Sequence, residues 1–488
     1  MDKPVWEYKT KKDGTCTLLK YNDFKREIFI PSEIDGYKVV AIAKECFDEC
    51  HVNIEAVHIP EGIEKIKMNA FLSCIRLQKI YIPASITKIE RGAFHGCGSI
   101  TRIRVDSKNK VYDSRNNCNA IIETATNKLV FGCKNTTIAD GITKIEDYAF
   151  SGCNTLERIV LPDSVTSIGK YAFEECTELS EVVLSDNIHT IGIGAFEYCS
   201  CLESINIPKG IEEINSYTFL RCGGLDDVVI PNTVKRIGIS AFGSSGIHDL
   251  VIPDSVTSIG PSAFQNCRNL TKAVLPKYLE TINDGTFYYC IKLNKITFPD
   301  ELTRIRERAF TGCGFKDIDF PAKLKIIGEE AFLSCKSLRT VNFNSGLNKI
   351  ERSAFSACGL INIKIPSSTT HFHRGAFSRC HALTSVEFEN TDNLRSNGVG
   401  AGIFHNCIKL RTVKTNGKVC RELAKQLCDI AIKNNSEDLL DVKYIQSLKE
   451  PDLMELIEVS REKEETGICN ILMTEYNKRF GGKPDLLI

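Results

Sequence analysis

Cysteine offers this chain its most reactive chemistry, and it occupies 22 of the 488 positions. A thiol can close a disulfide, hold a metal, or attack as the thiolate, and each use needs its own spacing. Zinc and redox sites favour C-x-x-C pairs, and the sequence contains none. Instead, 14 of the 22 cysteines, from Cys50, Cys74 and Cys97 to Cys380 and Cys407, lie three residues after a phenylalanine, and only Ser245 breaks the series. Equivalent positions on successive turns of a coil point in parallel, not at one another, so bond direction opposes a bridge. The spacing reads as a file of buried thiols serving as small hydrophobes with a weak donor. Unpaired thiols in this number point to a reducing cytosol or an anaerobic setting.

Other reactive groups form no pattern of comparable strength. The nine histidines share no common position; His371 and His373 alternate about Phe372 with His381 nearby, and they read as exposed strand residues more readily than as metal ligands. Asp106, Asp113 and Asn116 gather hard oxygen atoms on a turn-rich segment, as calcium requires, but without DxDxDG-like spacing they read as turn residues. No GxSxG, HExxH or P-loop spacing is present, so neither catalysis nor a cofactor or metal is expected. The 62 basic and 62 acidic residues cancel, and no basic stripe marks a nucleic-acid face. No apolar run approaches the ~20 residues that span a bilayer. The opening MDKPVWEYKT lacks an apolar signal region, so as it stands the sequence reads as cytoplasmic.

What must position the cysteines is a repeat. Its phenylalanine recurs at Phe47, Phe71 and Phe94, then from Phe150 to Phe404, in steps of 22 or 23 residues with one of 24, one of 27 and one gap of 56. A fixed period in this range marks a solenoid, because one short coil cannot bury its own apolar face. Residues 156–176, LERIVLPDSVTSIGKYAFEEC, show the unit. Leu156, Ile159 and Leu161 have the spacing of a short strand, and Pro162 ends it. Val165 and Ile168 return inward, Gly169 is expected to permit a turn, and Ala172 and Phe173 plug the coil. The octapeptide PDSVTSIG occurs at 162–169 and again at 253–260, which fixes the register.

The pattern LxxVxIPxxVTxIGxxAFxxC resembles that of the BspA-like leucine-rich repeat family over roughly residues 28–413. The resemblance implies an α/β repeat solenoid, a right-handed leucine-rich-repeat superhelix with a parallel β-sheet on its concave face. It also implies bacterial adhesion or attachment through protein–protein contact, with cell-surface or secreted display as the alternative to a cytoplasmic location.

The ends depart from the repeat. Residues 1–27 carry Lys12-Asp13-Gly14-Thr15 between apolar runs, which predicts a β-hairpin capping the first coil, with Trp6 a cap or a contact residue. Residues 28–415 form the solenoid, with an irregular longer coil at 104–137 whose strands flank residues 124–127. From 416 to 488 the apolar period becomes helical, with Pro451 at a helix start and Gly481-Gly482 at a stop. This region is a cap on the last coil or a module that docks a second partner, as in an intracellular adaptor.

Along each first strand the residues flanking the central apolar one point outward. In the middle coils these include Arg158, Val160, Val183, Asp227, Val229, Asp249, Val251 and Val274, a valine row with a mixed-charge border. Such a strip suits a protein ligand, although valine also simply favours strands.

Overall fold

The structure is a computed structural model that describes residues 4–48 and 52–481. Cys50, the first of the periodic cysteines, and Gly482 lie outside the described residues. The chain is a parallel-strand β-solenoid of about 17 turns with a small C-terminal helical region. It divides into two compact units, Met1–Ala263 and Phe264–Ile488.

In the first unit each regular coil contributes two short strands, not the one that its sequence announces. Arg158–Val160 is followed after the Pro162 turn by Ser167–Ile168. Both pair in parallel with their counterparts one coil on, Arg158 opposite Glu181 and Ser167 opposite Thr190. The first strand is exposed, buried, exposed in sequence, so Ile159 faces the core while Arg158 and Val160 face solvent. That alternation is the pleat of any strand with one wet face.

The phenylalanines stack. Ring centroids are 5.1 Å apart for Phe150 and Phe173, 5.2 Å for Phe173 and Phe196, and 5.8 Å for Phe196 and Phe219, with planes within 9° of parallel. Plugs inside the regular array are anchored through the backbone, as when the Phe173 N–H donates to the Ala195 carbonyl at 2.8 Å. The chain closes each coil by passing through positive φ twice, two residues before and two after the phenylalanine: Tyr171 (φ 55°) and Glu175 (φ 57°) bracket Phe173. Gly169 is not the turn residue that the sequence led us to expect. Its φ is not positive, and a Cβ there would lie 2.5 Å from the Asp147 N of the preceding coil, so the glycine serves close approach between coils.

The irregular coil keeps the stack going by substitution. Ile121–Glu123 and Lys128–Phe131 form the expected hairpin, joined by Tyr112–Asp113. Phe131, outside the period, places its ring 5.1 Å from that of Phe94. Tyr112 is buried and its hydroxyl accepts the Ile89 N–H at 2.8 Å, finishing the edge of the preceding sheet.

At the start, Trp6–Thr10 and Thr15–Tyr21 form the predicted antiparallel hairpin. Its second strand also pairs in parallel with Tyr37–Ile42. Trp6 lies 4.5 Å from the Tyr21 ring and meets Phe47 edge-on at 6.1 Å, closing the end of the phenylalanine stack.

The second unit repeats this construction from Phe264 to Phe404, with neighbouring rings 5.1–5.8 Å apart. The last strand, Thr412–Thr415, pairs in parallel with Ser385–Phe388. Among the described residues four α-helices follow: α1 (Arg421–Lys433), α2 (Val442–Gln446), α3 (Glu450–Glu462, with Pro451 in its first turn) and α4 (Thr466–Phe480). Their polar side chains reach the last coil's backbone. The Gln426 amide accepts from Ile403 N–H and donates to the Gly400 carbonyl, Asn434 donates to the carbonyls of Cys407 and Leu410, and Tyr444 donates to Val413.

Candidate protein-binding face

The thiol file is sealed. The described members of the series are buried, and most take the same weak bond: Sγ donates to the carbonyl of the phenylalanine one coil back, at 3.1 Å from Cys199 to Phe173 and 3.0 Å from Cys222 to Phe196, whereas Cys153, after the irregular coil, turns to the Gly132 carbonyl. Burial pushes the thiols of Cys176, Cys199 and Cys222 well above their ordinary range, so the thiolate that disulfide exchange or metal binding needs is disfavoured. This is the hydrophobe-and-donor role that the spacing implied. Because solvent does not reach these sulfurs, they carry no information about the redox state outside, and the inference from thiol number to compartment loses its force. Cys201 is the exposed cysteine among the described residues.

The oxygen-rich segment is likewise occupied with its own turns. Asp113 accepts from the Arg115 guanidinium at 2.6 and 2.8 Å and from Thr124 Oγ1 at 2.8 Å. Asp106 accepts the Lys108 N–H at 2.8 Å and the Tyr81 hydroxyl at 2.5 Å. Among the described residues no group of three or more His, Cys, Asp or Glu side chains is placed to hold a metal ion. His371 and His373 stand exposed on either side of the buried Phe372.

What remains is the outward face of the first strands. In the first unit, Arg158–Val160, Glu181–Val183, Ser204–Asn206 and Asp227–Val229 form one parallel sheet. Register sets Val160 beside Val183, and Asn206 beside Val229. The valine row is therefore interrupted once, by Asn206. Arg158 is spent on Glu181 at 2.6 Å, an exposed pair of small energetic weight. Asp227 has no ion-pair partner among the described residues. Asp249–Val251 is the corresponding strand of the next coil, with His248 3.6 Å from Asp249. Exposure of the valines is uneven: 43% for Val160, 40% for Val183, 73% for Val229 and 63% for Val251. Val274 belongs to the second unit, where it is half-buried on the strand Lys272–Val274, opposite Thr297. It does not present the open surface that its place in the row led us to expect.

Nearer the start of the first unit the same face is built differently. The sheet Glu27–Phe29, Ala56–His58, Lys79–Ile82 and Arg102–Val105 carries aromatic and basic residues outward. Phe29 stacks on His58 at 4.3 Å, and His58 meets Glu27 at 2.8 Å. The sequence analysis, confined to the middle coils, singled out neither Lys79 nor Arg102. They occupy the same outward register position as Arg158, which is the signal that finds them.

Comparison with known proteins agrees with this architecture. The family model for the BspA type leucine rich repeat region matches residues 40–130, 120–248, 235–314 and 303–426. The chain belongs to the BspA-type leucine-rich repeat family. A leucine-rich repeat protein from Bacteroides ovatus is similar at 28% identity, over 75% of this chain and 95% of its own, with a TM-score of 0.50. A leucine rich cell surface protein from Faecalibacterium prausnitzii shares 21% identity over 86% of this chain and 94% of its own, with a TM-score of 0.41. The comparison with curated proteins finds no match. BspA-type repeats are typically non-catalytic and generally serve as binding scaffolds. Among the described residues no helix is long and apolar enough to cross a membrane.

Proposed function

We propose that this BspA-type chain is a non-catalytic scaffold that holds a protein ligand on the outward sheet positions of its first unit. The observation that carries the reading is the set Val160, Val183, Val229 and Val251, four large apolar side chains at 40–73% exposure in register positions that contribute nothing to the core. Arg158, Asp227 and Asp249 edge this strip with charge, as the polar rim of a modest interface does. Attachment at a bacterial cell surface is the setting that the family implies. An intracellular adaptor docking a second partner through its helices is less well supported, because Gln426, Asn434 and Tyr444 are spent on the last coil's backbone. Residues 416–488 serve on this reading as a cap.

The test is capture. The double variant Val229→Glu/Val251→Glu places two charges on the strip without touching the core. It should melt like the parent and lose the protein ligand that the parent retains from a host-surface extract. Undiminished capture by the folded variant overturns the reading.

A further inference from the structure

Three cations of the first unit lie on one outward face without an ion pair among the described residues. Arg102 and Arg104 project from the same side of the strand Arg102–Val105, two residues apart. Lys79 stands in register with Arg102 on the neighbouring strand, about 4.8 Å across the ladder. None of the three has an ion pair or a side-chain hydrogen bond among the described residues. Some outward cations elsewhere in the same unit are paired, among them Arg158 with Glu181 and Arg236 with Glu213, each at 2.6 Å. Lys79, Arg102 and Arg104 line an open hollow of about 860 Å³.

The irregular coil makes the hollow. Arg102–Val105 is the last strand of its sheet, because the next coil puts no first strand beside it. The Asn119 carboxamide stands in for the missing neighbour: its Oδ1 accepts from Ile103 N–H at 2.7 Å, and its Nδ2 donates to the Thr101 carbonyl at 2.9 Å. A side chain thus meets the edge of the ladder, and the hollow lies beside it, lined from the irregular coil by Ser114, Asn117 and Asn119.

We infer that this hollow binds a short extended peptide segment carrying two or three carboxylates, contributed by a partner protein. Guanidinium groups recognise carboxylates through paired N–H donors, and the hollow is far larger than an inorganic anion needs. The patch is also short. Asp106 bounds it on one side, and Glu27 lies on the same face two strands from Lys79. A long polyanion would run into those carboxylates, whereas a few acidic residues in extended conformation fit between them. This site lies on a different sheet from Val229 and stands or falls independently of the valine strip.

Fluorescence anisotropy on the full chain tests it, with a labelled, N-acetylated peptide of alternating glutamate and serine as the probe and its glutamine counterpart as the control. The acidic peptide should bind with a dissociation constant below about 1 mM, weakening as salt rises from about 50 to about 200 mM. Arg102→Ser/Arg104→Ser should weaken it at least tenfold with the melting profile unchanged, and Val229→Glu should leave it alone. Equal binding of the two peptides, or no anisotropy change up to that concentration, overturns the inference. So does preference for a sulfated oligosaccharide over the peptide, which would make the hollow a glycan site.

Discussion

Two files of side chains run along the same strands of the first unit, one residue apart, and they obey different rules. The inward file, Ile159, Val182, Ile205 and Val228, is 3–8% exposed and varies only between isoleucine and valine. The outward file beside it, Val160, Val183, Asn206 and Val229, mixes apolar and polar residues at much higher exposure. The cause is the neighbour each file meets. An inward side chain packs against its own counterpart one turn away on both sides, so a change must be matched twice. An outward side chain meets water or a ligand. In a solenoid the period therefore encodes the fold, and departures from it on the wet face encode what is bound.

The sharpest way to break this comparison is to cut the plug. Phe196 is fully buried between Phe173 and Phe219. Phe196→Ala removes ring contacts to both and leaves a cavity, which costs about 3–5 kcal/mol. Urea melts should show a large loss, and a split into two transitions if the array uncouples at the defect. A loss below about 1 kcal/mol would mean that the stack is not what holds the coils together. The thiol behind it ranks next. Cys199→Ala forfeits buried sulfur and the bond to the Phe173 carbonyl, about 1–2 kcal/mol. Cys199→Ser keeps a donor and should cost less, as the natural Ser245 in the same file implies. If serine proves worse than alanine, the S–H bond contributes nothing and the file is hydrophobic only.

Glu197 stands between the two regimes. Burial, reinforced by the nearby Glu174 carboxylate, raises it from its ordinary 4.5 to about 7, while Arg221 pulls the other way. Between those values the folded chain holds a proton that the unfolded chain has released. Stability therefore falls as the pH rises through that window, and the deficit persists above it. Because the side chain is only half-buried, the deficit is discounted to about 1 kcal/mol. Glu197→Gln, neutral throughout, should melt higher than the parent at pH 8 and no higher at pH 4. A gain of the same size at both would assign the effect to packing.

Much of this was legible in the letters because it is local and repeated: the spacing of Phe173 to Cys176 recurs at nearly every regular coil, and Asp13-Gly14 between apolar runs marks its hairpin. Other features hide for physical reasons. The strand Ser167–Ile168 is two residues long, too short to show alternation. Phe131 carries none of the repeat around it, yet takes a place in the stack because the hairpin delivers it there. Positive φ at Tyr171, Glu175 and Arg221 is imposed by coil closure on residue types that do not favour it. Arg102 and Arg104 are lost among the many charges of a chain with no net charge, and only the parallel register brings Lys79 to them.

The smallest expected effect tests the comparison most finely. Val229→Glu exchanges an apolar side chain at 73% exposure for a charged one. Its inward neighbour Val228 is untouched, and Asn206 beside it is polar and uncharged, so no repulsive partner is created. The one carboxylate on the same strand, Asp227, sits two residues away across the face, where water screens the interaction. Lower β-propensity is the remaining cost, so the stability change should stay within about 0.5 kcal/mol. The same substitution at Val228, 8% exposed, would bury an unpaired carboxylate and should prevent that coil from forming. Two adjacent positions would then differ by nearly the whole stability of a coil. If Val229→Glu proves as damaging as Val228→Glu, the outward file is structural after all, and the valine strip loses its claim to be a binding face.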